Sequence, residues 1–208
     1  MKKILALISL FSLQAITFAQ TKLSATEISS FQKKVTSESK ALQSLTADFT
    51  QTKHISFLSK PITSTGKLYL KSDEKLKWEY LSPTKYAVVF KDKKLFVNNQ
   101  GKKSTVDLAT NKQFEKLSKL ISGTISGSMF DDQEFTISYF KNNNEIIVNL
   151  KPKAKDLAKY VKEIELYFDK NGQLVEQTKM IEPNNDYTLI KFTNKKINAS
   201  VNDSVFTL

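Results

Sequence analysis

Apolar and polar residues alternate in steps of two along most of this chain, and that period constrains the fold more than any other feature. Leu45, Ala47 and Phe49 alternate with Thr46, Asp48 and Thr50, while Leu68 and Leu70 share one side of Gly66–Lys71. Leu76, Trp78 and Tyr80 then face one way, opposite Lys75, Lys77 and Glu79. The same rhythm returns in Tyr86–Phe90, Leu95–Val97, Phe135–Ile137–Tyr139, Ile146–Val148–Leu150 and Ile164–Leu166–Phe168. Gln173–Ile181, Asp186–Asn194 and the tail after Asn198 complete the series. A period of two puts each apolar set on one face of a strand. The breaks are short: Asp73-Glu74, Ser82-Pro83, Lys91–Lys94 and Asn171-Gly172, the last suited to the positive φ of a type I′ hairpin. With 11% aromatic residues and only 5 glycines and 4 prolines, the chain reads as an antiparallel meander or barrel of roughly ten or eleven strands.

Two stretches keep a helical period instead. Ser24-Ala25-Thr26-Glu27 is a capping box, followed by Ile28, Phe31 and Val35 as one narrow apolar stripe on a helix ending near Lys40. Phe114, Leu117, Leu120, Ile121 and Ile125 predict a shorter amphipathic helix closed by Gly123, Gly127 and Ser128. The N-terminus is an address: Lys2-Lys3, an apolar run from Ile4 to Phe18, and a small residue at Ala19. These features predict a signal peptide over residues 1–19, cleaved to leave a single domain over 20–208.

Composition removes several chemistries. No cysteine excludes disulfides, thiolate metal sites and a cysteine nucleophile. The one histidine, His54, leaves a metal site to carboxylates, and Asp73-Glu74 and Asp131-Asp132 fall in turns where acids are ordinary. Gly123–Gly127 is one residue out of step with a nucleophile elbow, and no glycine-rich loop followed by Lys-Ser/Thr is present to cradle a phosphate. The expectation is a non-enzyme with no cofactor and no metal. The formal charge is +11, all of it from lysine because the chain lacks arginine. Clusters at Lys151, Lys153, Lys155, Lys159 and Lys162, and at Lys91, Lys93, Lys94, Lys102 and Lys103, leave room for a polyanion or envelope-surface module. Most strand lysines alternate with apolar residues and form a solvated face; export argues against genomic nucleic acid.

The apolar inner face must be covered. A barrel beyond about eight strands has an interior wider than its own side chains readily fill, so helices, a partner or a lipid must occupy it. Two amphipathic helices completing a dry core would satisfy this requirement as well.

Ala47-Asp48-Phe49-Thr50-Gln51, Gly66–Lys71, Trp78-Glu79-Tyr80 with Pro83 beyond, Val88-Val89, and Lys93-Lys94-Leu95-Phe96 follow one another in a telling order. Together with Asp186–Asn194 and the closing Val205-Phe206-Thr207-Leu208, this succession resembles the LolA family of periplasmic lipoprotein carriers. The resemblance implies a mainly β fold with an α lid, an incomplete antiparallel barrel of about eleven strands whose short helices cover an apolar cavity. It implies that the cavity holds lipoprotein acyl chains against Phe49, Leu68, Leu70, Leu76, Trp78, Tyr80, Val88, Phe90, Phe135, Ile137, Ile164 and Leu166. Ile28, Phe31 and Val35 with Phe114, Leu117, Leu120 and Ile121 would be the lid.

Partners follow from the same resemblance: acylated lipoproteins as cargo, an ATP-driven inner-membrane transporter as donor, and an outer-membrane acceptor. A periplasmic monomer is expected. Three acyl chains of about fifteen methylenes are worth roughly 36 kcal/mol against water. Binding affinities saturate near about −20 kcal/mol, so the membrane is the relevant reference and extraction needs outside energy. Related half-barrels bind other lipids or glycolipids, and an apolar pocket alone does not choose among them. The chain also departs from the family. At the arginine thought to latch the lid stands Ser72, with Lys71 or Lys75 as substitute donors, and the usual Asp-Gly hairpin is Asp92-Lys93. Lysine is a flexible point charge rather than a planar fork, which implies a looser latch.

Overall fold

The computed structural model describes residues 20–72, 74–107, 130, 132–171 and 174–208. The helix expected over 114–125 and the hairpin turn expected at Asn171-Gly172 fall wholly or partly outside these residues. Twelve strands form one antiparallel sheet: β1 Thr21–Lys22, β2 Ser44–His54, β3 Ile62–Lys71, β4 Lys75–Ser82, β5 Tyr86–Lys91, β6 Lys94–Asn99, β7 Lys102–Asp107, β8 Phe135–Lys141, β9 Glu145–Pro152, β10 Glu163–Asp169, β11 Val175–Ile181 and β12 Tyr187–Ile197. Their spatial order is β1-β8-β9-β10-β11-β12-β2-β3-β4-β5-β6-β7. The edge strands β1 and β7 do not pair with each other, so the sheet is an open half-barrel.

Two of these strands lie beyond the series expected from alternation, and one expected strand is absent among the described residues. β1 is only two residues long, and β7 (Lys-Lys-Ser-Thr-Val-Asp) has no apolar alternation to reveal it. The tail, expected as a strand, is instead a 3₁₀ turn at Asp203–Phe206. Asn202 caps that turn by accepting the Ser204 N–H at 2.9 Å, and Phe206 is buried beneath it.

Helix α1, Ala25–Ala41, carries the chain from the edge strand β1 to the central strand β2. Its start is set by the capping box: Ser24 Oγ accepts the Glu27 N–H at 3.4 Å, and the Ser24 N–H donates to Glu27 Oε2 at 2.9 Å. Only Phe31 and Val35 are buried, with Ile28 partly so. The one other described α-helix, α2 at Lys155–Ala158, is a single turn in the β9–β10 connection.

Tight turns close the hairpins at real backbone cost. Asp92 and Lys93 both have positive φ, 53° and 56°, the geometry of a type I′ turn. Gly66 is required at a β-bulge where β3 shifts register against β4. A Cβ there would lie 2.1 Å from the Glu79 carbonyl oxygen and 2.4 Å from the Phe49 ring.

Candidate functional site

Strand register lines up the inner face in rows. One row runs Leu45, Leu70, Leu76, Phe90 and Leu95, and the next runs Ala47, Leu68, Trp78, Val88 and Val97. A third carries Phe192, Phe49, Gly66, Tyr80 and Tyr86. In the other half, Ile137, Leu150, Ile164 and Met180 form a row beside Tyr139, Val148, Leu166 and Thr178, with Phe135 one step beyond. The twelve wall residues singled out from the sequence thus lie on one face and join one apolar cluster, with Tyr80, Val88 and Ile137 at its partly exposed margin.

Aromatic rings gather at two places on that face. Under α1, Phe31 meets Phe168 edge-on at 5.0 Å, with Phe130 at 5.6 Å and Tyr139 at 6.2 Å. Across the sheet, Phe49 lies 4.4 Å from Trp78 and 5.2 Å from Tyr80, and Phe192 stands edge-on to Trp78 at 6.1 Å. Phe130 and Phe192 were not singled out. Phe130 sits in a connection without period, whereas Phe192 was legible from its alternation with Lys191 and Thr193.

Polar groups on this face are few. The Tyr80 hydroxyl donates to Gln51 Oε1 at 2.9 Å, and burial pushes its pKa above the usual phenol value. The Trp78 indole N–H lies near that hydroxyl but outside hydrogen-bonding geometry, and Thr178 Oγ1 is likewise buried without a partner. Among the described residues no cluster of His, Asp and Glu could hold a metal. His54 is exposed and stacks on Tyr187 with ring centroids 4.9 Å apart. The face therefore offers apolar contact and almost no chemistry.

α1 is fastened lightly. Gln32 Nε2 donates to the Tyr139 hydroxyl at 2.7 Å, and Lys141 pairs with Glu27. The Lys141 ammonium, with the Ser24 N–H, holds the Glu27 carboxyl down to about 2. Its stripe and the wall are packed together, Leu68 and Leu166 being fully buried and Val35 nearly so. Hollows of about 510 and 460 Å³ lie elsewhere, against the polar side of α1 at Ser29–Lys40 and on the outer face at Asp48, Lys67 and Tyr69. Both are lined mainly by polar and charged residues.

The latch candidates lie on the opposite side. Register puts Lys71 opposite Lys75 on the outer face, where their ammonium groups hold Asp203 at 2.5 and 3.1 Å. The Ser72 N–H donates to the Gln43 carbonyl at 2.8 Å. What these lysines fasten among the described residues is the C-terminal turn. The lid positions Phe114, Leu117, Leu120 and Ile121 are outside the described residues.

A family model described as outer membrane lipoprotein carrier protein LolA matches residues 40–208. No curated protein matches the chain. Among solved structures the chain is similar to MucB, with 12% identity, 89% of this chain and 64% of that one covered, and a TM-score of 0.53. It is also similar to an uncharacterized conserved protein from Thermus thermophilus, with 8% identity, coverage of 86% and 91%, and a TM-score of 0.52. The MucA/MucB complex of Pseudomonas aeruginosa follows at 11% identity, coverage of 86% and 60%, and a TM-score of 0.50. Such identities speak to the fold alone, and the chain spans less than two thirds of MucB.

Proposed function

The chain belongs to the LolA family of outer-membrane lipoprotein carriers, and from that membership we propose that it shields the acyl chains of a lipoprotein on the inner face of its half-barrel. The observation that carries the reading is the contrast between a wide, continuous apolar wall and the narrow stripe that α1 lays on it. Burying Phe31 and Val35 is worth about 1.5–3 kcal/mol each. One acyl chain of about fifteen methylenes brings about 12 kcal/mol against water. An acyl chain thus outweighs the α1 stripe for the wall in water, while a bilayer competes with the wall for the acyl chain, which suits a carrier that is loaded and unloaded by others.

In this reading residues 1–19 direct export and are removed, and residues 20–208 act in the periplasm as a monomer. A membrane transporter driven by ATP supplies the cargo, and an outer-membrane acceptor receives it. The wall is Phe49, Leu68, Leu70, Leu76, Trp78, Tyr80, Val88, Phe90, Phe135, Ile137, Ile164 and Leu166. α1 moves aside through its Ile28, Phe31 and Val35 stripe, and Phe114, Leu117, Leu120 and Ile121 are proposed as the rest of the lid.

Native mass spectrometry of the protein isolated gently from its own envelope tests this. One acylated polypeptide bound per chain, retained at high salt, is the expected result. A bound acylated lipid that is not a polypeptide would move the chain to another lipid-carrying role. Recovery without any acylated species, or with a polyanion that salt removes, would contradict the proposal.

A further inference from the structure

The exposed apolar side chains are unevenly placed. Six large hydrophobic residues stand exposed among the described residues: Phe57 (82%), Leu58, Ile62, Leu81, Tyr160 (71%) and Ile197. The first five lie in or beside the β2–β3, β4–β5 and β9–β10 connections, which all leave the same end of the sheet; only Ile197 is at the other end. Isolated exposed hydrophobics are ordinary; what sets these apart is that five of the six share one end of the sheet.

Two of those connections, β2–β3 and β9–β10, are tied together through the β11–β12 loop. The Ser56 N–H donates to Asp186 Oδ1 at 2.8 Å, tying the β2–β3 loop to the β11–β12 loop. Lys162 Nζ donates to Asn185 Oδ1 at 2.6 Å, tying in the β9–β10 loop that carries Tyr160. Within the first loop the Leu58 N–H donates to the Ile55 carbonyl at 2.9 Å, so Phe57 is presented at the tip of a fixed turn. Charge accompanies the apolar tips. The 153–162 connection has four lysines against one aspartate, 55–61 and 81–85 carry Lys60 and Lys85 with no acid, and the β11–β12 loop brings Glu182 and Asp186.

We propose that this rim docks the protein onto the surface of an anionic phospholipid bilayer, with Phe57, Leu58 and Tyr160 entering the interface and the lysines meeting headgroups. Separate apolar tips, each beside a lysine, suit a soft interface that fills in around each tip. Long lysine stems reach outward to phosphate while aromatic rings settle at headgroup depth. A protein partner would favour a contiguous apolar patch with lysine depleted from its centre. The proposal does not rest on the carrier reading, because the rim can hold a membrane whatever the inner face binds.

Flotation of the exported protein with vesicles of phosphatidylglycerol and phosphatidylcholine (1:1), without lipoprotein, is the test. Wild type is expected to float with these vesicles and not with phosphatidylcholine alone, and to detach between about 0.05 and 0.5 M salt. Phe57→Ser with Leu58→Ser should lower the partition coefficient about tenfold or more, while Ile197→Ser leaves it unchanged. Because the chain has no cysteine, Phe57→Cys and Ile197→Cys each give one site for an environment-sensitive dye. The label at position 57 should shift to the blue on anionic vesicles and the label at 197 should not. Absence of flotation, flotation insensitive to the rim substitutions, or equal dye shifts at both ends would overturn the proposal. A rim that captures a protein but no vesicle would do so as well.

Discussion

Replacing Gly66 by alanine sets a methyl group against backbone that cannot yield. The added Cβ would be 2.1 Å from the Glu79 carbonyl oxygen and 2.4 and 2.7 Å from Phe49 Cζ and Cε1. Relief needs β3 and β4 to part at the bulge, or the Phe49 ring to leave its place 4.4 Å from Trp78 and 5.2 Å from Tyr80. Overpacking of a core costs about 1–3 kcal/mol, and weakening one ladder hydrogen bond adds about 1 kcal/mol. The expected loss is therefore about 2–4 kcal/mol, or about 10 °C in Tm for a domain of this size. Urea unfolding followed by the fluorescence of Trp78, the chain's single tryptophan, reads the loss directly. Phe49→Ala removes one of the two colliding groups, so its combination with Gly66→Ala should cost less than the sum of the single changes. A Gly66→Ala protein within about 0.5 kcal/mol of wild type, or strict additivity in the double variant, would refute the close approach of β3, β4 and the Phe49 ring.

At the β5–β6 turn Lys93 holds φ at 56°, so Lys93→Gly should raise stability by about 0.5–1 kcal/mol in the same urea assay. Phe206, 1% exposed under the C-terminal turn, should cost about 3–5 kcal/mol when changed to alanine, measured by thermal unfolding. The Glu27 carboxyl, lowered from 4.5 to about 2 by Lys141 and Ser24, contributes stability that is whole above its unfolded value. That contribution is lost as pH falls from 4.5 towards 2. Glu27→Gln should flatten the pH dependence of stability over this window; an unchanged slope would show that the carboxylate does not fasten α1.

Much of the sheet was legible because one face is apolar and the other carries lysine, threonine and glutamate. Register then follows from the pattern, as in Leu68–Leu70 meeting Trp78 and Leu76. The capping box fixed the start of α1 from four residues alone. β7 escaped because its side chains are mostly exposed on both faces, so no burial forced an alternation. The tail misled because Val205 and Phe206 look like a strand fragment, while Asn202 and Asp203 turn the chain first. The wall could be read from the period of two, but the role of Lys71 and Lys75 could not. Which face a lysine at a strand end serves depends on a distant partner, here Asp203, that local spacing does not reveal.

Trp78 also gives the most direct test of the central claim, since it stands on the proposed wall at 8% exposure. A triacylated lipopeptide carrying brominated acyl chains, presented by its releasing transporter, should quench Trp78 saturably at one cargo per chain. The same peptide without acyl chains should leave the emission unchanged. Stable complex formation with Trp78 unquenched would place the acyl chains off this wall and contradict the account.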